Sequence, residues 1–373
     1  MPSPEAKPRL LVVLEGGPAH PSGIVRALIY RDALARAGFD ARFHSRRSAF
    51  LFKLILQPPR FLAPITAKGP GRLLLYGLME LLAPFSEARL LAKARTCDLV
   101  FLSKVQSFRF VDRLRRKTRA KLVFDFTDAL WLHTREKRLA DCLRLADEIT
   151  TDNEYTAEYV RPINPNCTVV PDPPQIELFD ARRAASRRKA TDDAVVLGWI
   201  GTPTAAYNLY RIWEVLERLC SRYPNIRLRL VGIGEDQRFL PPFEHVRVTI
   251  RSTYDQSLMI DEVLGFDIGL FPQFDTEKDR VRGVLKASVY MAGEAAVVAS
   301  RVGQSRDFIR DGVNGMLAGS EEEWEQKLSA LIEDAPLRRR LADEALQQVR
   351  AELSVDATFT RLAEVFNRQL GRS

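Results

Sequence analysis

Arg282 and Lys286 stand four residues apart just before the run Tyr290-Met291-Ala292, which reads as helix. On a helix that spacing puts both cations on one side of the first turn. A helix N-terminus adds free N–H groups and the positive end of the helix dipole, so the pair suits a diphosphate. Two ordinary charges at a solvated helix start have the same spacing, and the spacing alone does not choose between these readings.

Glycines form the second set. Gly16 and Gly17 follow the apolar run Arg9–Glu15; Gly201, then Thr202, follow Val195–Ile200; Gly232 and Gly234 follow Arg227–Val231. Glycine lets a backbone approach a phosphate closely, although most glycines after strands only make tight turns. Neither a dinucleotide fingerprint nor a P-loop is legible. Asp125 and Asp128 close another apolar run, where a carboxylate can orient a hydroxyl or take its proton. Asp128 serves equally as the cap of a helix starting near Ala129. Lys104, Gln106 and His133 follow strand-like runs as candidates for the acceptor side, and Arg251 and Tyr254 as neighbours of a nucleotide base. Each also reads as an ordinary loop or surface residue.

These positions need strands and helices in alternation. Arg9–Glu15, Phe39–Phe43, Cys97–Ser103, Lys121–Phe126, Ala146–Thr151 and Thr168–Pro171 read as strands of a first α/β sheet. Their apolar runs are continuous, as in parallel sheets covered on both faces. Pro171, Pro173 and Pro174 open a charged stretch that reads as a linker holding a short helix. Val195–Ile200, Arg227–Val231, Val246–Ile250, Asp267–Phe271 and Ala296–Ala299 then form a second set. Residues 321–370 read as helix with a break near Ser354. The boundaries are 1–172 for the first domain, 173–193 for the linker, 194–354 for the second domain and 355–373 for a C-terminal helix. In open sheets of this kind ligands bind beyond the carboxyl ends of the strands, where the glycines and Asp125 fall.

The order of pieces in the second half resembles glycosyltransferase family 4: Gly198 to Pro203, Val231 to Gly234, Phe266 to Pro272, Arg282 to Lys286, Tyr290 to Gly293, Val297 to Gly303 and Asp311 to Gly315. In the first half, Val123 to Ala129, Ala146 to Ile149, Asn153 to Tyr159 and Val169 to Pro173 are similar too, so the resemblance covers nearly the whole chain. It implies the GT-B fold, two facing Rossmann-like domains with parallel sheets, with the last helix crossing back to the N-terminal domain. It implies a retaining transferase that takes a UDP- or GDP-sugar between the domains, held mostly by the second, with no cofactor and no metal. The acceptor would be a glycan or a lipid-linked or protein-linked molecule. The chain departs from the family at two places. Thr202 and Tyr207 stand where an Arg and a Lys are usual, and Val281 and Val289 where two glutamates are. Members with a similar Gly-Trp-Ile-Gly start carry a basic pair that Arg282 and Lys286 match. The departures leave room for a silent binding protein or a nucleotide-sugar epimerase on the same fold.

The whole chain of 373 residues has a net charge of +8. Residues 41–120 alone hold 17 Lys and Arg against four acids. Lys53, Arg60, Lys68 and Arg72 interleave there with Phe50, Leu51, Phe52, Leu54, Ile55, Leu56, Phe61 and Leu62. Contact with an anionic membrane surface fits this pattern, and so does a basic helical hairpin packed onto the first domain. No nucleic-acid module is legible. Scattered cysteines, without a metal-ligand spacing, point to the cytoplasm, with peripheral placement at the inner face of the membrane.

Overall fold

The structure is a computed structural model that describes residues 7–16, 21–56, 70–127, 129–133, 138–185, 194–233, 237–251 and 256–372. It divides into two compact units, Met1–Asp172 with Thr358–Ser373 and Pro173–Ala357.

In the first unit six parallel strands lie in the order β2-β1-β3-β4-β5-β6. They are β1 (Arg9–Leu14), β2 (Asp40–Ser45), β3 (Leu99–Ser103), β4 (Lys121–Asp125), β5 (Glu148–Thr151) and β6 (Cys167–Val169). Five of the six residues of β1 and all of β3 are buried, which is why these runs alternate so little. The helices between them are α1 (Pro21–Arg26), α2 (Arg31–Arg36), α3 (Ala49–Leu56), α4 (Pro70–Ala94), α5 (Phe108–Lys117), α6 (Leu130–His133), α7 (Leu139–Leu145) and α8 (Glu154–Val160). Asn153 begins α8 by accepting from the Thr156 N–H at 2.8 Å, a side-chain cap.

The second unit starts with α9 (Ile176–Ala185). Ile176 and Phe179 of this helix, expected within the linker, are buried in the second unit's core. Six parallel strands follow in the order β12-β11-β10-β7-β8-β9. They are β7 (Val195–Ile200), β8 (Ile226–Val231), β9 (Val248–Arg251), β10 (Ile268–Phe271), β11 (Ala296–Ser300) and β12 (Met316–Ala318), the last too short to be read from sequence. A 3-10 segment, Pro203–Arg211, follows β7. The helices are α10 (Trp213–Arg222), α11 (Gln256–Val263), α12 (Glu277–Arg280), α13 (Leu285–Ala292), α14 (Ser305–Phe308), α15 (Glu321–Glu333), α16 (Ala335–Leu353) and α17 (Val355–Leu370). The expected long C-terminal helix breaks twice, at Asp334 as well as Ser354. Asp334 caps α16 by accepting from the Leu337 N–H at 2.8 Å, and Pro336 follows in its first turn.

From Thr358 onward α17 belongs to the first unit. Phe366 is fully buried against the rings of Phe39 and Phe101, and Tyr30 donates to the Thr358 hydroxyl at 3.1 Å. Arg368 pairs with the buried Glu148.

Candidate functional site

The second sheet runs outward in both directions from β7, with β10 on one side and β8 on the other. The direction of winding reverses between β7 and β10, and such a switch point opens a crevice at the strands' carboxyl ends. Gly201 leaves β7 there, and Gln273 leaves β10.

Lys286 comes to this place from the first turn of α13. Its Nζ lies 4.7 Å from the centroid of the buried Trp199 ring. It also presses on Gly201, where an added Cβ would fall 2.6 Å from Nζ. Gly232 has φ +90°, and a Cβ on it would fall 2.5 Å from the Gly201 carbonyl oxygen. Only glycine fits both demands, so the backbones after β7 and β8 run close together.

Helix α13 is held by Tyr290, one turn beyond Lys286. The Tyr290 hydroxyl accepts from the Ile200 N–H at 2.9 Å, and its ring fills the space above Gly269. Burial pushes this phenol up from its ordinary value. Gln273 is buried and ties the neighbouring loops together. Its N–H donates to Ser300 Oγ at 2.9 Å, and its amide donates to the Asp279 carbonyl at 3.2 Å. Val284, the residue before α13, supplies no capping side chain.

Among the described residues Lys286 makes no ion pair and no hydrogen bond. Burial and the charge of Arg282 bring its pKa down to about 7, with Asp279 opposing the shift. Arg282 is itself 3.5 Å from Asp279. Two adjacent cations that share one carboxylate, at an uncapped helix start, leave positive charge unsatisfied. An anion with two phosphates supplies what is missing.

The other expected residues fall in different settings. Thr202 is exposed beside Gly201, with its hydroxyl 3.3 Å from that of Thr204. Arg251 ends the edge strand β9, two strands from Gly201, and is occupied by Glu262 at 3.0 Å. Gly16 does not offer a free approach, because Phe52 of α3 packs over it at 2.7 Å from an added Cβ. Val281 and Val289 are both buried.

Asp125 is fully buried, and its carboxylate accepts from Arg26 at 2.6 Å and from Thr150 at 2.8 Å. Arg26 also donates to Asp172 at 2.8 Å and to the Val170 carbonyl at 2.6 Å. Burial works against that guanidinium, but Asp125 and Asp172 raise its pKa well above the usual value. A carboxylate shut away from solvent cannot receive a proton from an arriving hydroxyl, so Asp125 is a structural group rather than the expected base. Sequence reading missed Arg26, since nothing local links it to a residue 99 positions away. Lys104 follows β3 in a left-handed conformation, φ 53°, with its N–H on the Asp125 carbonyl at 3.1 Å. Gly17, Asp128, Gly234 and Tyr254 lie outside the described residues, as do Arg60, Phe61, Leu62, Lys68 and the side chain of His133.

Two depressions offer contrasting linings. One in the first unit, about 430 Å³, is lined by Arg46, Glu80, Gln106, Ser107, Phe108, Arg109 and Arg138. One in the second unit, about 480 Å³, lies between Phe308 and α16 and is lined by Asp307, Glu344 and Glu352 with Arg310. Its carboxylates make it a poor place for a diphosphate, and Lys286 is not part of it.

The chain has the GT-B fold, shared with solved structures over nearly its full length. Residues 194–334 match the family model described as glycosyl transferases group 1. HepE from Anabaena, solved with UDP and glucose, is 15% identical at TM-score 0.65, the match covering 96% of this chain and 99% of that one. A glycosyltransferase from Rickettsia africae and the sucrose-phosphate synthase of Thermosynechococcus elongatus are each 15% identical at TM-score 0.67, covering 98% of this chain and all of theirs. No protein of curated function matches the chain by sequence. The family match and the fold together support a glycosyltransferase.

Proposed function

We propose that the protein transfers a sugar from a nucleotide-diphosphate-sugar to an acceptor hydroxyl, with retention at the anomeric carbon. The observation that carries this reading is Lys286, which makes no ion pair or hydrogen bond among the described residues and stands at the switch point of the second sheet, pressed against Gly201 and over Trp199. Lys286 and Arg282 bind the diphosphate, and N–H groups at the start of α13 and near Gly201 complete its shell. Gly232 keeps the backbone low enough for the phosphates to approach, and Thr202 offers a hydroxyl at the rim. As the bond from the anomeric carbon to the diphosphate breaks, its electron pair goes to the phosphate oxygen. Charge develops where the two cations stand, which is where preorganised charge accelerates a reaction most. The acceptor oxygen bonds to the anomeric carbon from the same face, and its proton passes to the departing diphosphate.

UDP-sugars are the first donors to try, since HepE was solved with UDP-glucose. Lys104 and the arginine-lined depression of the first unit belong to the acceptor side. The acceptor is a glycan or a lipid- or protein-linked molecule. A thermal-shift panel of UDP-, GDP- and ADP-sugars tests the donor, because a ligand specific to the native state stabilises by about 2.7 kcal/mol at a hundredfold excess over Kd. Stabilisation together with slow release of free sugar supports the reading. Stabilisation without any release makes the chain a binding module. Interconversion of the sugar without acceptor makes it an epimerase, and no response to any of the panel overturns the donor site.

A further inference from the structure

Helix α4 has apolar residues on two opposite sides. Met79, Ala83, Leu90 and Ala94 are buried in the first unit. On the opposite side, at spacings of four, three and four, come Leu74, Leu78, Leu81 and Phe85. A surface helix normally turns polar residues outward. Here Leu74 is 73% exposed, and Leu81 and Phe85 are each 70% exposed. Leu73 and Leu82 widen the stripe.

The helix's own acids do not interrupt it. Glu80 pairs with Arg47, and Glu87 is buried between Arg46 and Arg113. The charge on the outer side is Arg89, four residues after Phe85. Helix α3 packs on α4 through Leu51, Phe52 and Ile55 against Met79. It turns Phe50, 70% exposed, and Lys53 to solvent one turn apart. No described helix is long and apolar enough to cross a membrane.

We propose that this outer face of α4, with Phe50 and Lys53 of α3, docks on an anionic lipid bilayer. A contiguous apolar patch of this kind marks an interaction surface. Charge selects the partner. The first unit carries 31 Lys and Arg against 19 acids, a balance of +12, so a second copy of this face meets repulsion. An anionic leaflet attracts the same unit, and its acyl boundary accepts the leucines and phenylalanines. The inference stands apart from the transferase reading, because it requires neither donor nor turnover.

Co-sedimentation of the full chain with phosphatidylcholine vesicles, with and without phosphatidylglycerol, reads the docking directly. The wild-type protein binds the phosphatidylglycerol vesicles, and added salt weakens that binding. Leu78→Glu with Leu81→Glu lowers partitioning roughly tenfold or more, as expected from losing two apolar side chains from the interface. Lys53→Glu with Arg89→Glu lowers it by about thirtyfold or more through charge alone. All four side chains lie outside the core, so both variants melt with the wild type. The proposal falls if the wild type stays in solution with anionic vesicles, or if the leucine variant binds as well as the wild type. It falls equally if the wild type forms a concentration-dependent dimer that the leucine substitutions abolish, which gives the face to a second copy.

Discussion

At the carboxyl edge of the first sheet the two buried arginines are closed onto carboxylates. Arg46 lies 2.6 Å from Glu15 and 2.9 Å from Glu87, and Arg26 lies 2.6 Å from Asp125 and 2.8 Å from Asp172. At the same edge of the second sheet Lys286 is held against Trp199 and Gly201, with no carboxylate of its own among the described residues. The contrast runs against net charge. The unit with +12 neutralises its buried cations, while the other, with 25 Lys and Arg against 29 acids, leaves one unneutralised. Buried charge is costly unless it is paired, so an unpaired cation persists where a ligand supplies the counter-charge. The first arrangement holds a fold together, and the second holds a place open.

Removing a cation from each unit breaks the comparison if it is misdrawn. Arg26→Met strands Asp125, which is fully buried, and leaves Asp172 without its partner. The expected loss is about 3–5 kcal/mol in the unfolding transition of the first unit, measured in urea. A loss below about 1 kcal/mol would mean that the pair is not what closes this edge. Lys286→Met removes a charge that has no partner to strand. Stability should hold to within about 1 kcal/mol or rise, while calorimetric affinity for a nucleotide-sugar falls by about 10- to 100-fold, the worth of a charge-assisted hydrogen bond. Unchanged affinity would remove Lys286 from the donor site.

Gly201→Ala sharpens the same point without touching charge. The new methyl would fall 2.6 Å from Nζ, and the buried Trp199 ring beside it cannot yield easily. Either Lys286 swings away or the strand end shifts, at a cost of about 1–3 kcal/mol. Donor affinity should drop by about tenfold with the melting temperature lowered in parallel. A methyl that leaves both unchanged would show that the contact with Lys286 is not maintained.

Much of this was legible before any coordinates. β7 has the expected bounds and β1 ends one residue short of the expected Glu15, because continuous apolar runs between turn residues leave little choice in a parallel sheet. The expected strand Val246–Ile250 is instead Val248–Arg251, at a sheet edge where burial constrains the pattern less. The spacing of Arg282 and Lys286 suggested one side of a helix turn, but Arg282 precedes α13, and the spacing could not show that Trp199 and Gly201 meet Lys286. Those contacts join residues more than eighty positions apart. Asp125 misled for the same reason: its place at a strand end is a local signal, whereas its partner Arg26 comes from a distant helix.

The last expected effect on donor affinity is a pH dependence, and its sign separates Lys286 from ordinary lysines. With a folded pKa of about 7 against a usual 10.5, Lys286 is protonated in both states below pH 7. Above that the unfolded chain holds a proton that the native protein has released, so stability climbs as pH rises from about 7 toward 10.5 and is lost again on the way down. Donor binding runs the other way, because the diphosphate needs the charged form. A nucleotide-sugar has no phosphate group titrating in this range, so its affinity should fall by about tenfold between pH 6 and pH 8, following the protonated fraction of Lys286. Lys286→Met should bind weakly and equally at both. A wild-type profile as flat as that of the variant would mean that the site binds its anion without Lys286, and the open edge of the second sheet would need another occupant.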